Sequence, residues 1–299
     1  MKTTDRRSMP HLIPNDVLER YTAAPSPSTV AAVKRLHENI RSVLGGDFET
    51  FLQGSYRNDT SIPDLNDVDI VAVRRTVRSG VFQPPAEAGS IVSFESIFDE
   101  VRRRLEGSAP YQGKTTKNDK CITVVTGFNA DVVPAVKVGD DELKDPVAIY
   151  SRRLGQERLN YPRVHVQNGV NKQQRTEGRF KATVRMFKVW ARNWFGDVGT
   201  APSFYLESLV YSFTDQSFLP DAADRFVNLA ATMVTLQYRD ARVKTVAEDK
   251  EILAETEWKH RDFSRFQEVL RQSLEQARQA IGAYRETDAI AAWRRGFRE

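Results

Sequence analysis

The stretch "FLQGSYRNDTSIPDLNDVDIVAV", Phe51 to Val73, sets a Gly-Ser pair before a polar loop and two aspartates, Asp67 and Asp69, at the head of an apolar run. Alternate side chains of a strand face the same way, so Asp67 and Asp69 project together while Val68 and Ile70 face the other side. At about 4 Å and an effective dielectric near 20, two like charges repel by roughly 4 kcal/mol. A fold that keeps them together must raise a pKa or supply a cation, and a hard divalent ion is the natural partner. Asp131 in "FNADVVPAV" also begins an apolar strand and belongs with the first two if the strands are neighbours. Three carboxylates on adjacent strands can hold two Mg²⁺ ions, the arrangement that serves in-line phosphoryl transfer. Gly54 lets a phosphate chain come close because it has no Cβ, and Ser55 offers a hydroxyl.

The rest of the chain limits what this centre can belong to. Its 299 residues are 40% hydrophobic, enough for two modest domains with real cores. No apolar run reaches the roughly 18 residues of a membrane span, and the N-terminus lacks the apolar segment of a signal peptide, so a soluble, cytoplasmic protein is expected. A lone cysteine, Cys121, and four histidines argue against a disulfide or a Cys/His zinc site. Cys121 is expected as a small buried apolar residue. The net charge of +4, from 44 basic and 40 acidic residues, is only a weak pointer to polyanionic partners.

Along the chain, Val30, Val33, Leu36, Ile40 and Val43 repeat at helical spacing and end at Gly45 or Gly46. "DFETFLQGSYRND" reads as a short strand into a turn and "VDIVAVRRTV" as a second strand. A linker, "SGVFQPPAEAGS", precedes a helix with Phe94, Ile97, Val101 and Leu105 on one face. "KCITVVTG" and "NADVVPAV" close a small mixed sheet. From about Arg175 the periodicity is helical almost to the end, so the expected class is α+β, with a core over residues 1–174 and a helical lobe over residues 175–299. The terminal "AWRRGFRE" reads as an exposed basic tail.

The order Gly54-Ser55, Asp67-x-Asp69, then Asp131 resembles the DNA-polymerase-β-like nucleotidyltransferases. With "QGSYRNDTSI", "NDVDIVAV", "ADVVPAV", "YPRVHVQNGVNKQ" and "GRFKATVRMFKVW" added, the chain from about Asn39 to Phe213 resembles the bacterial CD-NTases, cGAS- and DncV-like enzymes that make cyclic oligonucleotide signals in anti-phage defence. The resemblance implies a bilobal fold with the active site in the cleft. It implies Asp67, Asp69 and Asp131 as metal ligands, with Asp131 also helping to deprotonate the attacking ribose hydroxyl. Gly54, Ser55, Lys181 and Ser203 would bind the donor triphosphate. It further implies two Mg²⁺ ions, replaceable by Mn²⁺, with nucleoside triphosphates as substrates, a cyclic dinucleotide as product, a downstream effector and a regulatory protein. No membrane and no stable nucleic-acid complex is expected.

Several residues keep two readings. Lys181, Arg185, Lys188 and Arg192 share a helix face that meets either solvent or phosphate. Tyr205 either stacks on a base or belongs to a core. His165 touches a nucleobase or is a structural strand residue, and Asn168 reads a base edge or sits in a polar loop, "QNGVNKQQ". The same core can also transfer one nucleotide to an RNA end, a protein or a small molecule, although no extended basic surface favours this. A catalytically silent scaffold is disfavoured by retention of three mutually repelling acids.

Overall fold

The computed structural model describes residues 11–63, 67–79, 93–141, 143–196 and 199–299. Residues 64–66, within the expected polar loop, and nearly all of the expected linker lie outside them. In chain order the elements are α1 (Asn15–Thr22), α2 (Pro27–Leu44), β1 (Phe48–Gln53), α3 (Gly54–Asn58), β2 (Asp67–Arg78), α4 (Phe94–Glu106), β3 (Thr115–Lys117), β4 (Ile122–Val125), β5 (Asn129–Lys137), β6 (Val147–Ser151), β7 (Gln156–Asn160), α5 (Pro162–Arg175), α6 (Arg179–Phe195), α7 (Ser203–Tyr211), α8 (Ala222–Met233), α9 (His260–Ile281) and α10 (Glu286–Gly296). They form two compact units, one of Ala24–Asn171 and one of Lys172–Glu299 together with the segment that ends at Ala23.

The first unit is a mixed sheet ordered β1-β2-β5-β4-β3, with β6 and β7 added beyond the end of β5. β2 and β5 are parallel, and β1 and β4 flank them antiparallel. Val68, Ile70, Ala72, Ala130 and Val132 pack under Val33, Leu36 and Ile40 of α2 and Ile97, Val101 and Leu105 of α4. Ser26 starts α2 by accepting the Thr29 N–H at its Oγ, with Pro27 in the first turn. This leaves the opposite sheet face, with Val71, Val73, Ala135 and Val147, to carry the odd-numbered residues of β2 and β5. The aspartates are on that second face.

The helical unit is built around aromatic residues, with Trp190, Trp258, Trp293, Phe187, Phe226, Phe263 and Phe266 all buried. Two expectations change here. "AWRRGFRE" is not a free tail: Trp293 and Phe297 are buried, and Asn193 Nδ2 donates to Phe297 O at 3.0 Å. "YPRVHVQNGVNKQQ" is neither strand nor loop but helix α5, opened by Pro162.

Candidate active site

Asp67 opens β2 and Asp69 follows on the same face. In the parallel ladder Asp69 is the Cα partner of Asp131, and Asp67 that of Asn129. On the outer sides, β1 sets Gln53 opposite Asp69 and β4 sets Thr123 opposite Asp131. A polar row, Gln53, Asp69, Asp131, Thr123, thus crosses four strands. Asp69 and Asp131 are half-buried, and Asp67 is exposed.

Hydrogen bonds hold this row at both ends. Thr123 Oγ1 donates to Asp131 Oδ1 at 2.5 Å and accepts from Asn118 Nδ2 at 2.7 Å. Asn160 Nδ2 donates to Gln53 Oε1 at 2.8 Å, and Asn129 Nδ2 reaches Asp67 Oδ1 at 3.4 Å. Cys121 is half-buried with its Sγ 3.8 Å from Thr123 Oγ1. Burial first, and the Asp131 charge second, push its thiol up to about 12, so it behaves as an inert neutral group.

The Gly-Ser pair lies where β1 ends. Gly54 has a φ of 67°, in the left-handed region that favours glycine, and a Cβ added to it would stand 2.2 Å from Asp69 Oδ2. The backbone therefore lies directly against the carboxylate. The expected turn is the single helical turn of α3, after which the Ser55 carbonyl accepts the N–H groups of Thr60 at 2.9 Å and Ser61 at 3.1 Å. These bonds tie Ser55 to the chain that leads on toward β2.

Among the described residues, no group of three or more His, Cys, Asp or Glu side chains is gathered closely enough to hold a metal ion. Asp131 and Asp67 rest instead on the neutral donors Thr123 and Asn129. Backbone register and donor chemistry nonetheless suit a hard divalent ion, which takes carboxylate oxygens.

Lys181 and Ser203 belong to the helical unit. Lys181 is half-buried near the start of α6, its N–H donating to Gln173 Oε1 at 2.8 Å, and Ser203 is the exposed first residue of α7. The basic face of α6 is not a solvated stripe. Lys188 is buried against Glu207, Nζ to Oε2 at 3.0 Å, Arg185 Nε donates to Thr22 O at 2.6 Å, and only Arg192 is exposed. Tyr205 stacks on Trp258 with centroids 5.8 Å apart and bonds Glu257 at 3.0 Å, which ties it to the core. His165 is buried on α5, and Asn168 is half-buried on the same helix. Sequence reasoning missed Gln53, Thr123 and Asn118. The signal for Gln53 is its place beside Gly54, and for Thr123 a lone hydroxyl in an apolar strand.

Comparison with known proteins bears on the family and the fold. Residues 18–151 match the family described as Second Messenger Oligonucleotide or Dinucleotide Synthetase domain, and residues 167–275 match the cGAS/DncV-like nucleotidyltransferase C-terminal helical domain. The chain is 30% identical to a cyclic UMP-AMP synthase of Rhodothermus marinus, over 73% of this chain and 82% of that protein. A structure of the Rhodothermus marinus CdnE c-UMP-AMP synthase with Apcpp and Upnpp superposes with a TM-score of 0.72 at 26% identity, covering 86% of this chain and 96% of that one. The E. coli MS115-1 CdnC in its HORMA complex shares the fold, with a TM-score of 0.76 at 13% identity over 98% of each chain. The chain therefore belongs to the bacterial cGAS/DncV-like nucleotidyltransferases, the CD-NTases, and is an enzyme of their cyclic oligonucleotide synthase kind.

Proposed function

We propose that this enzyme joins two nucleoside triphosphates into a cyclic dinucleotide, with divalent metal, as a signal in anti-phage defence. The observation that carries the reading is the pairing of Asp69 with Asp131 on the sheet face where Gly54 presents no side chain. Nucleotides of the kind held in the Rhodothermus marinus structure, Apcpp and Upnpp, are the substrate class.

Asp67, Asp69 and Asp131 are the residues that would hold two Mg²⁺ ions, or Mn²⁺ in their place, whose chemistry when bound is to acidify the attacking hydroxyl and neutralise charge on the leaving group. Asp131 takes the ribose hydroxyl proton on a carboxylate oxygen. The new bond joins that ribose oxygen to the α-phosphorus of the second nucleotide, and the bond to pyrophosphate breaks. A second such round closes the ring. Gly54 gives the triphosphate room, the Ser55 and Ser203 hydroxyls donate to its oxygens, and the Lys181 ammonium offsets its charge. The product acts on a downstream effector, and a regulatory protein switches synthesis.

The test is to incubate the purified enzyme with single and paired α-labelled nucleoside triphosphates and Mg²⁺ or Mn²⁺, treat with phosphatase, and identify the survivors by mass spectrometry. A phosphatase-resistant cyclic dinucleotide, missing with Asp69→Asn, supports the reading. A labelled RNA end, protein or small molecule in place of a cyclic product overturns it in favour of single transfer.

A further inference from the structure

Asp131 is held by a directional chain of hydrogen bonds. Thr123, its neighbour across the β4–β5 ladder, has one hydroxyl proton to give and two lone pairs. Asn118 Nδ2 donates into Thr123 Oγ1 at 2.7 Å, and an amide nitrogen can only donate. The Thr123 proton is thereby left for Asp131 Oδ1, which stands 2.5 Å away and, as a carboxylate oxygen, can only accept.

The source of this chain is anchored too. Asn118 begins the tight turn between β3 and β4, where its N–H donates to Cys121 O at 2.9 Å. The turn is clamped by the β6–β7 connection. Asp119 accepts Ser151 Oγ at 3.0 Å and the Arg153 N–H at 2.6 Å, and Arg152 Nη1 donates to Asn118 O at 3.2 Å. Terminal carboxylate torsions are otherwise broad and nearly two-fold, so a fixed donor on one oxygen is what selects a single rotation.

We infer that Thr123 is a positioning residue for Asp131, and that Asn118 sets the direction in which the Thr123 hydroxyl points. The inference rests on the metal-site reading above. Residues that orient a metal-binding carboxylate in this way typically change metal affinity or activity by about 10–100-fold when lost.

The experiment measures Mn²⁺ binding to the full-length protein by the electron paramagnetic resonance signal of free Mn²⁺, with a non-hydrolysable nucleoside triphosphate analogue present, and urea unfolding of each variant. Thr123→Val keeps the side-chain shape and removes the proton. It should weaken Mn²⁺ binding by about 10-fold or more, raise the Mg²⁺ concentration needed for half-maximal synthesis, and leave the nucleotide Michaelis constant at saturating metal unchanged. Thr123→Ser should restore binding. Asn118→Ala, which frees the hydroxyl to rotate, should fall between Thr123→Val and the wild type. Wild-type Mn²⁺ affinity in Thr123→Val, or failure of Thr123→Ser to rescue a folded protein, overturns the inference while leaving the metal site standing. Absence of Mn²⁺ binding in the wild type overturns the metal site itself, and the inference with it.

Discussion

Gly54 and Asp69 are in contact through the space a side chain would fill: a Cβ at residue 54 would meet Asp69 Oδ2 at 2.2 Å. The position also has a φ of 67°. Gly54→Ala therefore combines backbone strain of order 1–3 kcal/mol with displacement of a carboxylate that the sheet otherwise fixes. The expected result is loss of cyclic product with a measurable drop in the urea midpoint. An active Gly54→Ala enzyme of wild-type stability would mean that Asp69 need not sit where β2 puts it.

Asp69→Asn and Asp67→Asn remove charge and keep volume. Synthesis should fall by at least about a hundredfold, in the range seen when one group stabilising transition-state charge is lost. Thermal melting without divalent metal should hold or rise slightly, because like charges repel on that face. Mn²⁺ should raise the melting temperature of the wild type and not of the variants. Equal turnover by wild type and variants would remove the metal-site assignment.

His37 gives the first unit a pH dependence. His37 lies on α2, its Nε2 is 3.1 Å from Thr50 Oγ1 of β1, and its partial burial is the main reason its pKa falls below the ordinary 6.5. A hydrogen bond to the Thr50 backbone opposes the shift without cancelling it. The unfolded chain takes up this proton near pH 6.5, while the folded chain does so only at lower pH. His37's contribution is thus fully present above pH 6.5 and is lost as pH falls through the folded value. The urea midpoint should decline between pH 7 and 5 more steeply in the wild type than in His37→Gln, and the imidazole resonances should titrate below 6.5. Parallel declines would place the acid sensitivity elsewhere.

The parts of the fold that could be read in advance are those whose apolar residues mark a period. β2 alternates acid and apolar residues over 67–70 and continues as an apolar run to Val73, α2 and α4 carry i, i+3, i+4 stripes, and the paired acids at the head of β2 stand out because an apolar strand rarely begins so. Helix α5 was misread for the converse reason. Its buried positions, Pro162, His165, Gly169 and Lys172, keep helical spacing, but none is a large apolar residue. Lys172, for example, is buried by pairing with Asp215 at 2.8 Å, which no hydrophobic pattern announces. The polar row across the sheet was half legible. Two of its members are acids, whereas Gln53 and Thr123 gain meaning only from the ladder register that sets them beside those acids.

Lys188 and Glu207 were invisible as a pair for the same reason, and they carry the last prediction. Their side chains are 3% and 4% exposed and meet at 3.0 Å, joining α6, which bears Lys181, to α7, which bears Ser203. Lys188→Met takes from the buried Glu207 carboxylate its cation at 3.0 Å, so it should lower stability by about 3–5 kcal/mol. Replacing both, as in Lys188→Met with Glu207→Leu, should recover most of that loss, because well-packed apolar residues often match a buried ion pair. Urea unfolding of the four proteins in the cycle gives the coupling directly. Activity of the double variant then separates stability from register. A restored fold with a raised nucleotide Michaelis constant would show that the charged pair, beyond holding the helices together, sets the spacing at which they present Lys181 and Ser203. A single Lys188→Met variant as stable as the wild type would mean that the pair is no more than a solvated contact, against the burial on which the argument stands.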